Sequence, residues 1–291
     1  MKKIYQLIII CTFALSGSIA LADIPKYNVC SGAEDGTYAD LGKEILKRYK
    51  TIKGENVFDL GGSMANFEAS ANGECAIVIA QPDAFSILRS TRKSEASNYI
   101  RLGQAHKEFV HLICSTESGV ENVTDIEGDE NAFLDLISEE SGGAVTWANL
   151  VLEDAGYKTT SVVYGDDLYT AASNVSSGDS KCFLSVSGLG SDAMHDIDRD
   201  FDNLTMVKFN DKDANDAVDT KGKALYEFVE PTHVYKVQLQ NYFWDRETVS
   251  MQAAIYLNKE YLSKDKAGKI ARKEITKSIV RAAKEIKQRY K

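Results

Sequence analysis

The chain has 291 residues, of which 44% are hydrophobic and 26% are charged, and its formal net charge is −9. This length suits one large domain or two modest ones, and the negative charge argues against nucleic acid as a partner. The four histidines never stand four residues apart and no Cys-x-x-Cys occurs. Both observations argue against a zinc site and against a thioredoxin-like redox centre.

The N-terminal segment predicts export. Two lysines precede an apolar stretch that ends in Ala20-Leu21-Ala22, which fits the small-residue cleavage site of a signal peptide. We therefore expect residues 1–22 to be a signal peptide and residues 23–291 to form a periplasmic protein that does not span the membrane. A single membrane anchor is the alternative, but the apolar core is short for one.

The cysteines that follow the signal peptide are Cys30, Cys75, Cys114 and Cys182. An even number in an exported protein suggests two disulfides, with three possible connectivities. Cys30 and Cys75 each adjoin a predicted strand in the same half of the chain, which favours the pairs 30–75 and 114–182. Four buried free thiols are the alternative.

The first predicted unit is a strand, a glycine-containing turn and a helix over residues 27–49. Its turn, "SGAEDGTYADLG", would aim backbone N–H groups at a ligand, and a helix N-terminus favours negative charge. The turn lacks the Gly-Lys-Ser/Thr ending of a P-loop and the third glycine of a dinucleotide-binding turn. Glu34 and Asp35 are unexpected in a turn suited to anions, so they either face water or select a ligand that carries an amine or a cation.

Two later passages, residues 57–85 and 161–190, are alike. Each has a β-branched strand, a polar turn with glycine, an Ala-rich helix, and a cysteine before an apolar strand, which predicts one βαβ unit used twice. A second strand–turn–helix unit, at 133–157, precedes the second copy as the first unit precedes the first. Residues 109–114 read as a strand that passes between the two halves.

This repeat predicts an α/β fold of two similar lobes joined by a hinge, with a ligand cleft between them. We assign residues 23–108 and 232–291 to lobe 1 and residues 109–231 to lobe 2. Ligands bind beyond the carboxyl ends of parallel strands, so the glycine-bearing turns should face the cleft.

The C-terminal third has a different pattern. Alternation over residues 234–239 predicts a strand that returns the chain to lobe 1. Beyond Lys259 the chain is basic, and apolar residues recur at helical spacing, at Ile275, Ile279, Ala282, Ile286 and Tyr290. This predicts an amphipathic helix. Its apolar stripe either docks on lobe 1 with the lysines in water, or the helix is a docking surface for a membrane partner.

Three segments in this order, "SGAEDGTYADLG", "GGSMANFEASANGECAIVIAQPDAF" and "ESGGAVTWANLVLEDAGY", resemble the TAXI branch of TRAP-transporter solute-binding proteins. The resemblance covers most of residues 27–210. It implies a type II periplasmic-binding-protein fold. It also implies capture of a small solute, typically a carboxylate such as an amino acid, dicarboxylate or keto acid, and its delivery to a TRAP-type membrane permease.

The resemblance also implies ligand-binding residues on the turns of both lobes. They are Ser31, Gly32, Thr37, Tyr38, Ser63, Asn66, Gln81 and Asp83 in lobe 1, and Ser141, Gly143, Thr146, Trp147 and Ser187 in lobe 2. The hydroxyls and nearby N–H groups would hold a carboxylate, the aromatic rings would wall an aliphatic or ring portion, and Gln81 and Asp83 would take an amine or hydroxyl. The alternative is that the serines and threonines only cap helices and that Tyr38 and Trp147 are core aromatics.

No residue pattern indicates catalysis, and we expect no enzyme activity, metal or cofactor. Ser185 stands where the first glycine of G-x-S-x-G would precede Ser187. The acidic run at 192–202 resembles a calcium loop, but Phe201 and Val207 replace the required Gly and Glu, which favours a solvated acidic helix end. The alternative functions are a sensor-input or surface ligand-binding protein of the same fold without a transport role and, behind it, an enzyme of that fold.

Overall fold

The computed structural model describes residues 26–34, 36–58, 60–131, 133–212, 216–219, 221–240 and 247–289. The predicted signal peptide lies outside these residues, as do Asp35 and Tyr290. Within the described part of the chain, no helix is both long enough and apolar enough to cross a bilayer.

The chain builds two units of the same kind, one after the other. The first contains β1 (Val29–Cys30), α1 (Thr37–Leu46), β2 (Asn56–Val57), α2 (Ser63–Ala71), β3 (Ile77–Ala80), α3 (Pro82–Thr91) and α4 (Lys93–Ala96). A long strand, β4 (Tyr99–Ser115), leads to the second. That unit contains β5 (Leu134–Asp135), α5 (Gly142–Glu153), β6 (Val162–Val163), α6 (Leu168–Ser177), β7 (Cys182–Ser187), α7 (Asp192–Asp200) and β8 (Leu204–Met206). The chain then forms β9 (Glu227–Val229), β10 (Thr248–Asn258) and α8 (Lys266–Arg289).

The strands form one continuous sheet in the order β2-β1-β3-β10-β4-β7-β5-β6, with β8 beside β4 and β9 beside β10. β1 lies parallel to β2 and β3, and β5 lies parallel to β6 and β7, so the two halves repeat the same topology. The fold is therefore the predicted α/β arrangement of two similar lobes. The turns that follow the carboxyl ends of β1, β2 and β3 in one half, and of β5, β6 and β7 in the other, lie opposite one another.

Strands β4 and β10 connect the lobes and run antiparallel to each other. β4 pairs with β10 up to Phe109 and with β7 from Phe109 onward, so this residue is where the strand changes partner. β4 has an extra residue between Gln104 and Lys107, opposite the two-residue step from Ala254 to Gln252. Such bulges bend a strand and often lie beside functional sites.

Residues 234–239 form no strand, contrary to the prediction from their alternation. The buried carboxylate of Asp198 on α7 instead accepts the backbone N–H groups of residues 236–239 at 2.8–3.0 Å. Of the apolar residues in the pattern, Tyr235 and Leu239 pack into the core beside α7 and β8, whereas Val237 is exposed. We therefore propose that lobe 2 extends to residue 240, and the other lobe boundaries stay predictions.

The predicted basic helix is α8, and its apolar stripe docks on lobe 1. Ala271, Ile275, Ile279, Ala282 and Ile286 are each at most 3% exposed and belong to the core cluster that includes residues of β1, β3, β10 and α1. The first of the two interpretations of this helix is therefore confirmed.

Both predicted disulfides are present. Cys30 of β1 bonds to Cys75, and Cys114 of β4 bonds to Cys182, which lies directly opposite on β7 with a Cα–Cα distance of 4.0 Å. All four residues are fully buried. Cys114–Cys182 joins neighbouring strands, and Cys30–Cys75 joins β1 to the segment directly before its neighbour β3, which explains why cysteines next to predicted strands indicated the pairing.

Candidate functional site

A cleft with a volume of about 530 Å³ lies where the turns at the carboxyl ends of the parallel strands meet. This volume is within the range of about 300–1,000 Å³ that is usual for small-molecule sites. Lobe 1 contributes residues 31–33, 36–38, 61–63 and Gln81, and lobe 2 contributes Ile137, 141–143, 166–167 and 185–188. His106 and Glu108 of β4 form the floor. These residues are called the cleft below.

Most of the residues singled out in the sequence line this cleft. They are Ser31, Gly32, Thr37, Tyr38, Ser63, Gln81, Ser141, Gly143 and Ser187. Asn66, Asp83, Thr146 and Trp147 do not line it and are buried elsewhere. Glu34 is exposed and also lies outside the cleft lining, which agrees with the reading that it faces water.

Three helices begin at the cleft without a side-chain cap. The residues that precede α1, α2 and α3 are Gly36, Gly62 and Gln81, and none of them caps its helix with a side chain. The first N–H groups of a helix have no partner within the helix and carry a partial positive charge. α1 and α2 therefore offer N–H groups to an anion without a fixed positive charge, the usual arrangement at helix N-termini that bind anions. α3 does not, because Pro82 has no N–H and Asp83 accepts the N–H of Ala84.

Hydroxyl and amide side chains fix how these helices meet. Ser63 Oγ accepts the N–H of Gln81 at 3.0 Å and so joins the start of α2 to the start of α3. Behind them, Asn66 accepts the N–H of Gly32 at 3.2 Å and donates to Ile79 O at 2.9 Å, which holds the first turn against β3. Asn66 therefore positions the turn from behind rather than lining the cleft.

The floor of the cleft holds three titratable groups in contact. The Tyr38 hydroxyl donates to Glu108 Oε2 at 2.7 Å, and His106 Nε2 lies 3.6 Å from Glu108 Oε1. The rings of Tyr38 and His106 meet edge to face, with centroids 5.4 Å apart. Burial, and then the Glu108 charge, raise the pKa of Tyr38 well above its usual value, so this hydroxyl keeps its proton at physiological pH.

Sequence reasoning missed His106 and Glu108 as cleft residues, because the predicted strand began only at Phe109. Their spacing was the available signal, because residues two apart on a strand share a face. A polar pair on one face of a strand that crosses between lobes is placed to reach the space between them.

The lobe 2 wall is backbone-strained. Ile137 and Asp166 both have φ of 71°, and among the described residues they are the two non-glycine residues with positive φ. Buried Asp135, at the end of β5, accepts the N–H of Ile137 at 2.8 Å and the N–H of Gly165 at 3.0 Å. One carboxylate thus holds two of the cleft loops of lobe 2, and strain of this kind is typical of functional sites.

Asp83 and Thr146 join the lobes behind the cleft. Asp83 Oδ2 accepts the hydroxyls of Thr146 on α5 at 3.0 Å and of Tyr226 at 2.8 Å, and Oδ1 accepts the N–H of Ala84 at 2.8 Å. Burial raises the pKa of Asp83 to about 6, although these hydrogen bonds act in the opposite direction. Trp147 is a core side chain of lobe 2 that meets Tyr157 edge to face.

The charges of the cleft are one-sided. Glu108, Asp166 and Asp167 are acidic, and none of the described residues that line the cleft is Lys or Arg. Asp167 caps α6 by accepting the N–H of Thr170 at 2.8 Å, so its carboxylate is partly used within its own lobe.

The acidic run at 192–202 is mostly helix rather than an ion-binding loop, because α7 spans Asp192–Asp200. Asp198 accepts backbone N–H groups as described above, while Asp196 and Asp200 pair with Arg199 at 2.7 Å. These roles agree with the interpretation of the run as an acidic helix end.

No protein-family model and no curated protein matches the chain. Its structure is similar to that of the GluR0 ligand-binding core in complex with L-glutamate, with a TM-score of 0.53, 11% identity, and coverage of 92% of this chain and 99% of that one. It is also similar to AbpA, an amino acid ABC transporter substrate-binding protein from Streptococcus pneumoniae bound to L-arginine. There the TM-score is 0.51, the identity 9%, and the coverage 91% and 90%.

A third similar structure is the arginine-bound form of truncated ArgBP from T. maritima, with a TM-score of 0.50, 11% identity, and coverage of 90% of this chain and 96% of that one. At these identities the likeness concerns the fold alone. The fold is that of type II periplasmic-binding proteins, as the sequence predicted, and the resemblance to the TAXI branch stays a prediction.

Proposed function

We propose that this chain is an exported solute-binding protein. It captures a small organic solute with a carboxylate in the cleft and delivers it to a TRAP-type membrane permease. The observation that carries the proposal is the meeting of two helix N-termini without side-chain caps, those of α1 and α2, in a cleft between two similar lobes. The sequence resemblance supports the permease partner, and the predicted signal peptide supports a periplasmic location.

The carboxylate would be held from lobe 1. Backbone N–H groups at the starts of α1 and α2, together with the hydroxyls of Ser31, Thr37 and Ser63, are the donors in the cleft that suit it. Such hydrogen bonds to an ionised group are stronger than those between neutral groups. No Lys or Arg lines the described part of the cleft, so these neutral N–H and hydroxyl donors would have to carry the recognition of the anion.

Lobe 2 would close on the other side of the solute. The lobes already approach closely, because a Cβ on Gly188 would lie 3.4 Å from Thr37 Oγ1 and a Cβ on Gly142 would lie 2.7 Å from Gln81 Oε1. Ser141, Gly143 and Ser187 line this side. A solute that contacts both walls stabilises the closed arrangement through its better affinity for that state.

Binding without chemistry fits the lobe 2 hydroxyls. In the described structure, Ser187 Oγ has Ser191 Oγ and Gly188 O as hydrogen-bond neighbours, both at 3.4 Å. A nucleophilic serine needs a general base within hydrogen-bond reach instead. We therefore propose recognition rather than catalysis.

The test uses residues 23–291 and a panel of amino acids, dicarboxylates and keto acids. Native mass spectrometry of freshly purified protein looks for a solute carried through purification, and thermal shift ranks the panel, because a ligand that binds only the native state stabilises it. Thr37→Val should weaken the affinity for the best solute about tenfold, the effect of one hydrogen bond of about 1.4 kcal/mol. Thr91→Val, an exposed threonine at the end of α3, is the matched control.

Absence of any stabilising solute in the panel, with no solute carried through purification, would contradict the proposal. Equal affinities of Thr37→Val and Thr91→Val for a solute that does bind would show that the site lies elsewhere. A solute that binds but is turned over would identify an enzyme of this fold.

A further inference from the structure

The charge of the cleft bears on which carboxylate-bearing solutes it accepts, and this inference rests on the function proposed above. We propose that the solute also carries a cationic amine or guanidinium, and that Glu108 receives it. The cleft would then select zwitterions over dicarboxylates and keto acids. Glu108 is the specificity-determining residue in this proposal.

Glu108 is placed as a receptor for a cation. Its side chain lies on the floor of the cleft with only 5% of the residue exposed. A carboxylate taken out of water needs partners that offset the lost hydration. Its described neighbours are the Tyr38 hydroxyl at 2.7 Å, which is a neutral donor, and His106 Nε2 at 3.6 Å, which is beyond ordinary hydrogen-bond distance.

The surroundings of Glu108 favour positive charge. Asp166 and Asp167 stand on the lobe 2 wall, and both are exposed. No Lys or Arg among the described lining residues opposes these acids. A cation would therefore be attracted to the cleft as a whole and meet its most buried carboxylate at the floor, whereas a second anionic group would meet like charge there.

The two ends of a zwitterion have receptors close together. Tyr38 belongs to the first turn of α1, and its hydroxyl bonds to Glu108. The start of α1 is one of the N-termini proposed to hold the carboxylate. The tyrosine thus joins the anion-binding turn to the cation-binding floor, so a single small molecule with both charges can reach both.

The strand that carries Glu108 is shaped for this role. The extra residue in β4 lies between Gln104 and Lys107, at His106 or the residue before it, and so close to Glu108. A bulge of this kind redirects the side chains beside it. Strand alternation places His106 and Glu108, two residues apart, on the same face, and both line the cleft from a strand that otherwise contributes to the core.

The experiment compares solutes with the same carbon skeleton. Each set contains an amino acid, the keto acid in which oxygen replaces the amine, and the amine that lacks the carboxylate: L-alanine, pyruvate and ethylamine, and likewise for leucine. L-glutamate is compared with 2-oxoglutarate alone, because its decarboxylated product, 4-aminobutyrate, keeps a carboxylate. Affinities are measured by calorimetry at neutral pH on the whole of residues 23–291. In the set that binds, the amino acid should bind at least about tenfold more tightly than its keto acid.

Glu108→Gln should remove this preference, since the amide keeps an acceptor for Tyr38 but has no charge. Its affinity for the amino acid should fall about tenfold or more and approach that for the keto acid. Glu227→Gln is the matched control, because Glu227 is an exposed acid that pairs with Lys107 outside the cleft. It should leave the preference unchanged.

The outcomes separate the two proposals. A keto acid or dicarboxylate that binds as tightly as the amino acid overturns this inference and leaves the proposed function in place. An amine that binds as tightly as its amino acid supports the role of Glu108 and overturns the carboxylate in the proposed function. Binding by no member of any set overturns both, and if Glu108→Gln does not fold, the solute series on the unmodified protein decides.

Discussion

Asp83 and His111 are fully buried titratable residues whose effects on stability run in opposite directions. Burial raises the pKa of Asp83 from 3.8 to about 6 and lowers the pKa of His111 from 6.5 to about 4. Because its pKa is raised, the Asp83 carboxyl contributes stability that is complete below pH 3.8 and is lost as the pH rises through about 6. Because its pKa is lowered, His111 contributes stability that is complete above pH 6.5 and is lost as the pH falls through about 4.

We therefore expect the unmodified protein to show little net change in unfolding free energy between pH 4 and 6, because two contributions of about 3 kcal/mol each offset one another. Asp83→Asn should leave only the pH dependence caused by His111, so that the unfolding free energy falls on acidification. His111→Gln should leave only the pH dependence caused by Asp83, so that the unfolding free energy falls as the pH rises. Urea unfolding at half-unit pH steps measures both, and parallel curves for the three proteins would contradict the assignment.

Single residues were predicted well where a turn follows a strand and less well elsewhere. Ser31, Thr37 and Ser63 reach the cleft because strand–turn–helix units place such residues at the carboxyl ends of strands. Asp83 and Trp147 lie in the same kinds of segments, but their side chains point away from the turn, and residue order alone does not show that direction.

At the scale of elements, the repeated βαβ pattern indicated the strands and helices of both lobes, because its apolar runs and glycines are local signals. β4 was only half predicted. Its first part, "RLGQAHKE", reads as polar since it faces the cleft on one side and packs under α8 on the other, where a Cβ on Gly103 would lie 3.3 Å from Ile279. The polar residues that line the cleft, His106 and Glu108, therefore also remove the apolar pattern by which this strand would have been predicted.

The disulfide between β4 and β7 should stabilise lobe 2 strongly. It closes a loop between residues 68 positions apart, for which the chain-entropy account expects about 4 kcal/mol, with measured values for such bridges of about 2–4 kcal/mol. Replacing both Cys114 and Cys182 with Ala should lower the unfolding free energy by about 2–4 kcal/mol in urea unfolding. The same double change at Cys30 and Cys75, 45 positions apart, is the matched comparison and should cost a similar amount.

An effect of the Cys114/Cys182 replacement below about 1 kcal/mol would contradict this expectation. The unfolding free energy should also fall when the unmodified protein is treated with a reductant in urea. The double variants should each show half of that response, since each retains one bridge.

For the whole molecule, closure of the lobes should depend on a glycine at the start of α2. A Cβ on Gly62 would meet the carbonyl oxygen of Glu140 on lobe 2, whereas a Cβ on Gly61 would meet only the end of the Glu140 side chain, at 2.9 Å. Gly62→Ala should therefore hold the lobes apart and weaken solute binding about tenfold or more. Small-angle scattering should show a larger radius of gyration for this variant in the presence of solute.

Gly61→Ala is the control, because both glycines have positive φ, 83° and 157°, and a side chain at either is strained. It should retain the compact shape with solute. If both variants bind and scatter like the unmodified protein, the close approach at Gly62 is not needed for binding.

The two disulfides differ in how they constrain motion of one lobe against the other. Cys30–Cys75 joins β1 to the residues directly before β3 within lobe 1, but Cys114–Cys182 fastens the far end of a connecting strand, β4, to lobe 2. That end cannot slide along β7 when the lobes separate. We therefore expect this link to confine bending of β4 to the stretch between its bulge and Phe109. Glu108 lies in that stretch, so we expect occupancy of the floor and the angle between the lobes to depend on each other.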